Sequence, residues 1–158
     1  MRILTEGTTM DVTGTTWILV ADGDQARIFE ERQRAGEVRE VVARHMGRTG
    51  GDYPKAAAHG ATVHDRAGHG QHGAGERAPH EEAEDRFLER VAESLAEPAR
   101  GGVFQGLVIM APPRALGVLR QALPKPAQAL VEGSDPHECV RETAEDIRHR
   151  LRHLRAKA

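Results

Sequence analysis

The residues best equipped for chemistry in this 158-residue chain crowd into one stretch. Six of the nine histidines (His45, His59, His64, His69, His72 and His80) lie between positions 45 and 80, and "GHGQHGAG" (68–75) sets two of them and Gln71 among glycines. Neutral imidazoles ligate zinc, nickel and copper, which makes His64, His69 and His72 candidate metal ligands. No cysteine joins them, no helical spacing fixes them, and HExxH and CxxC are absent. A weakly chelating segment is the plainer expectation. Gln71 is the candidate for catalysis. Its amide donates and accepts hydrogen bonds, so it can position a water or a nucleic-acid end, but it is no general base at neutral pH. Such a loop acts only when a partner completes the site. Gly70 and Arg77 flank it as candidate ligand contacts.

Outside this stretch, "DGD" (Asp22, Gly23, Asp24) could offer carboxylates to Mg²⁺, although Asp and Gly are also what a hairpin turn selects, with Gly23 supplying a positive φ. "APPRALG" places Arg114 at a helix start after a buried strand, where α/β proteins commonly bind ligands and phosphates. The tail "RHRLRHLRAK" carries five Lys/Arg and no acid. Arg148, Arg150, Arg152 and Arg155 there form either a basic strip for RNA phosphates or charge complementing a helix C-terminus. Ser94, Ser134 and Cys139, placed on or beside helices, show no nucleophile motif.

These residues need elements to hold them. Thr16 to Ala21 reads as a strand, "DGDQ" as a turn, "ARIFE" as the return strand, "QRAGE" as a second turn and "VREVVARHM" as a third strand. From Gly47 to Pro79 periodicity disappears, and the lack of an apolar stripe predicts a long, mobile loop of the functional or disordered kind. "PHEEAEDRFLERVAESLAEPAR" follows as an amphipathic helix with Pro79 in its first turn and Phe87, Leu88, Val91 and Leu95 inward. "GLVIMA" is a strand buried on both faces, "RALGVLRQAL" a short helix and "AQALVEG" a last strand. The final helix is expected to start at Asp135 as N-cap, with Pro136 next and Glu138 closing a capping box. The order predicts one α/β domain over residues 14–155, a mixed sheet of about five strands covered by helices. Residues 1–13 read as a flexible leader.

Composition narrows the classes. A formal net charge of −2 gives no global field for nucleic acid, so any basic surface is local. One cysteine excludes an intrachain disulfide. With no signal-length or membrane-length apolar run, the expectation is a cytoplasmic protein without cofactor, membrane or DNA partner.

"TWILVADGDQARIFE" and "FQGLVIMAPPRALGVLRQAL" together resemble the bacterial host attachment protein family over residues 14–155. That family is similar to the middle domain of eukaryotic and archaeal peptide-chain release factors, in which a long loop bearing Gly-Gly-Gln enters the ribosomal peptidyl-transferase centre and runs into a helix. "GHGQHGAGERAPHEEAEDRFLERVA" has that layout. It departs where His69 stands for a glycine, restricting the backbone. The resemblance implies a release-factor-like α/β fold and RNA or the ribosome as partner. Three functions remain open: a non-enzymatic binding protein, a residual peptidyl-tRNA hydrolase, and a metal-binding protein.

Overall fold

The computed structural model describes residues 14–54 and 78–158. Its centre is β1 (Thr16–Ala21), buried at every position because both sheet faces are covered. β2 (Gln25–Glu31) returns antiparallel, from Thr16↔Glu31 to Ala21↔Ala26. On the other side β5 (Gly106–Met110) runs parallel to β1, and β6 (Val131–Asp135) parallel to β5. β3 (Val38–Glu40) and β4 (Met46–Gly47) both pair with β2, so the order is β3-β2-β1-β5-β6 with β4 beside β2. The expected mixed sheet is present, with six strands.

Alternation along the strands fills two cores. Trp17, Leu19, Ile28, Leu107 and Ile109 face α1 (Pro79–Glu93) and α3 (Pro113–Ala122), with α2 (Ala96–Arg100) and α4 (Lys125–Gln128) at the margin. Phe104 stacks on Trp17 at 4.7 Å between ring centroids. Ile18, Val20, Phe29, Val108 and Met110 face α5 (Ala144–Lys157) through Ile147 and Leu151. Each such side chain, fully buried, contributes about 1.5–3 kcal/mol.

Three expectations about elements are corrected. "VREVVARHM" is not one strand: β3 stops at Glu40 and Val42–Arg44 forms a 3-10 turn before β4. Val41 and Val42 are neighbours, and only Val41 packs on the core while Val42 is 71% exposed. Within "AQALVEG", Ala127 is buried in α4 and the strand begins only at Val131. Asp135 does not cap the last helix. It ends β6 opposite Met110, its carbonyl accepting from Ala111 N at 3.1 Å. The helix starts at Thr143, whose hydroxyl and backbone form the capping box with Asp146. The intervening turn buries Cys139 and Val140, and Arg27 Nη1 fastens it by donating to the carbonyls of Val140 and Glu142, both at 2.8 Å.

The 47–79 loop starts later than expected: Gly47 belongs to β4 and Gly50–Asp52 is a 3-10 turn, while Pro79 opens α1 as its place in the sequence predicts. Asp52, 5% exposed, accepts from Arg90 Nε at 3.1 Å and Nη2 at 2.8 Å and docks this turn on α1. An ion pair anchors the segment where an apolar stripe is missing. Arg48 adds a second tie, donating to Asp24 Oδ1 at 2.6 Å and the Tyr53 hydroxyl at 3.2 Å, with His80 Nδ1 at 3.2 Å.

Candidate functional site

Two of the motifs read from sequence meet at the C-terminal ends of β1 and β5. The "DGD" turn, Arg114, Glu84 and Glu138 line a crevice of about 290 Å³ there. Asp22 is occupied as a turn residue, its Oδ1 accepting from the backbone N–H of Asp24 (2.8 Å) and Gln25 (2.9 Å). Gly23 does not adopt a positive φ; its role is close approach, since a Cβ there would lie 2.6 Å from Glu84 Cδ. Arg114 pairs with Asp85 at 2.9 Å and Glu84 at 3.6 Å. Partial burial, then the adjacent Asp22 carboxyl, push Glu138 above the usual carboxylate range. The crevice is therefore acid-rich with its guanidinium already neutralised, and Pro112 and Pro113 offer no N–H at the start of α3. Phosphate is disfavoured. Among the described residues no group of three or more His, Cys, Asp or Glu is arranged to hold a metal ion.

A larger groove, about 750 Å³, runs between the end of β6 and α5. Its wall carries His149, His153 and Lys157, spaced i, i+4, i+8 on one helix face. Pro136, His137 and Arg150 complete it. All three wall side chains are exposed. The chief acid there, Asp135, is already paired with Arg150 and His137. β6 borders the groove as the last strand in the sheet order.

The four tail arginines separate. Arg155 turns inward: its side chain is 16% exposed and grips Glu31 with two bonds of 2.9 Å, while Nε reaches Glu132 and Nη2 the Thr16 hydroxyl, both at 3.2 Å. Arg150 is held by Glu142 at 2.7 and 2.8 Å, which raises its pKa further. Arg148 faces Glu145 at 3.5 Å. Arg152 is exposed, with no carboxylate paired to it among the described residues. The basic surface is thus Arg152 with His149, His153 and Lys157, not a strip of four arginines. His137, His149 and His153 were missed as candidates, although the i, i+4 spacing of the last two is visible in "HRLRH".

Gly70, Gln71, Arg77, His64, His69 and His72 lie outside the described residues. Cys139 sits in the turn before α5 rather than on a helix, 1% exposed. Burial pushes its thiol up to about 11, and a thiol so protonated is a poor nucleophile. Among the described residues no helix is long and apolar enough to cross a membrane.

Among known proteins, the family described as "Protein required for attachment to host cells" matches residues 17–151. Two solved structures are similar. An archaeal translation termination factor, aRF1, aligns at 16% identity with a TM-score of 0.47, covering 77% of this chain and 29% of that one. An archaeal protein aligns at 15% identity with a TM-score of 0.47, covering 87% of this chain and 34% of that one. The chain spans about a third of either. No curated protein matches it.

Proposed function

The chain belongs to the family of proteins required for attachment to host cells, and beside that membership we propose that it is a non-enzymatic cytoplasmic binding protein that engages RNA, alone or within the translation machinery, through the groove between β6 and α5. The observation that carries this reading is the row His149, His153 and Lys157 along a groove of about 750 Å³. Consecutive members stand about 6 Å apart along the helix axis, a row of cationic or hydrogen-bonding groups that a phosphate backbone can follow. Arg152 stands beside it. Binding here is electrostatic and local, in keeping with a chain of net charge −2.

The test is anisotropy of a labelled single-stranded oligoribonucleotide across a salt series. Affinity is expected to fall steeply with salt, with a log–log slope of roughly −0.7 per phosphate neutralised. Arg152→Ala with Lys157→Ala should flatten the slope by about one to two such steps. An oligonucleotide that fails to bind, or variants that bind as the wild type does, would sink the reading. Ribosome co-sedimentation run alongside extends it to the translation machinery. Peptide release from ribosomes that is lost in Gln71→Ala would instead favour the hydrolase.

A further inference from the structure

The break between β3 and β4 leaves an opening. Where the chain leaves the sheet as the 3-10 turn Val42–Arg44, a pocket of about 200 Å³ forms between that turn and the C-terminal end of α1. Leu19 and Ile28 from the sheet and Val91 and Leu95 from the helix side make its floor, with Met46 beside them. Arg44 and His45 stand at its mouth. Arg44 is exposed, and its guanidinium lies over the Trp17 ring, 5.2 Å from the centroid. Among the described residues no carboxylate pairs with it, unlike Arg27, Arg48, Arg90, Arg114, Arg150 and Arg155. The carboxylate beside that indole, Glu30, accepts from Trp17 Nε1 at 3.3 Å and pairs with Arg32 at 3.0 Å. The His45 ring is held by Gln25 Oε1 at 3.3 Å.

We propose that this pocket binds a small monocarboxylate with a benzene-sized apolar body, an aryl or branched-alkyl acid, the ring lying on Leu19, Ile28, Val91 and Leu95 and the carboxylate meeting Arg44. Size sets the body. An enclosed apolar cavity of about 150 Å³ accommodates benzene, so a pocket of about 200 Å³ that opens to solvent admits one six-membered ring with its polar arm left at the mouth. Charge sets the head. A guanidinium without an acid presents a planar fork that matches a carboxylate, and its seat on the indole holds it over the pocket.

Trp17, the single tryptophan of the chain, lies under Arg44 and reports on the site through that guanidinium. Phenylacetate, titrated into the full chain, is expected to change Trp17 emission saturably. Its neutral isostere phenylacetamide should bind about five-fold more weakly, the scale of one exposed ion pair. Arg44→Gln alters an exposed side chain, and should bring the two ligands within about two-fold of each other by removing that pair. Arg39→Gln, on β3 away from the pocket, should keep the wild-type preference. Three results overturn the proposal: no saturable change in Trp17 emission or in the amide resonances of Leu19, Ile28 and Leu95; equal affinity of wild type for acid and amide; or an acid preference that survives Arg44→Gln.

Discussion

Replacing Arg155 with alanine separates a structural tail arginine from a binding one. In the wild type Glu31 is 1% exposed, and both its carboxylate oxygens accept from Arg155 at 2.9 Å. After truncation its remaining partner is Ala35 N, at 3.0 Å. Removing one partner of a buried pair costs about 3–5 kcal/mol in general, and with the Ala35 N–H still donating to Glu31 the expected loss lies near the lower end, about 3 kcal/mol. Urea denaturation at pH 7 measures it.

Glu31→Gln added to Arg155→Ala should recover most of the loss at pH 7, a coupling that a double-mutant cycle reads directly. Arg152→Ala should stay within about 0.5 kcal/mol of wild type. A deficit for Arg155→Ala below about 1 kcal/mol, or one that Glu31→Gln does not relieve, would refute the account of this pair.

Asp52→Asn should cost about 2 kcal/mol at pH 7 in denaturant melts, less than a fully buried pair because Arg90 is partly exposed. The Arg90 guanidinium, then Thr49, hold the Asp52 carboxyl below its usual range. Its contribution is therefore complete above about pH 4 and fades as pH falls through the lowered folded value; variant and wild type should converge in acid, and a constant gap would count against the assignment. Glu138→Gln should add a few tenths of a kcal/mol at neutral pH, discounted for exposure. Its raised carboxyl opposes folding once ionised, so the gain should vanish below about pH 4; a gain that persists there would have another origin. Ala35→Gly should stabilise by about 0.5 kcal/mol, because Ala35 adopts φ 66 in the β2–β3 turn, and a loss in urea midpoint would contradict this.

Period and burial made most of the fold legible. A run such as "TWILVA", apolar throughout, reads as a doubly covered strand, and "FLERVA" places Phe87, Leu88 and Val91 on one helix face. What failed were boundaries decided by tertiary contacts. "SDPHE" has every local sign of a helix start, yet Asp135 completes the β5–β6 ladder and Arg27, more than a hundred positions earlier in the chain, gathers the carbonyls of the next turn. No local rule sees that guanidinium. The docking of Gly50–Asp52 was hidden for the same reason: Asp52 is anchored by Arg90, and a stability argument built on apolar side chains overlooks a turn held by charge.

The candidate groove was half legible. Ile147 and Leu151 are buried on α5, and Arg155 stands four positions further along the same stripe. Its place on the core-facing side was written in the period of the helix, with Glu31 as its buried partner. Counting charges along the tail treated four arginines as equal, where rotation about the helix sends one toward the sheet and leaves another in solvent. The same rotation sets His149, His153 and Lys157 in a row of their own. What the sequence could not supply was the opposite wall: His137 meets that row because β6 runs on to Asp135 before the chain turns. The groove thus follows from the same displaced helix start that the local capping signals concealed.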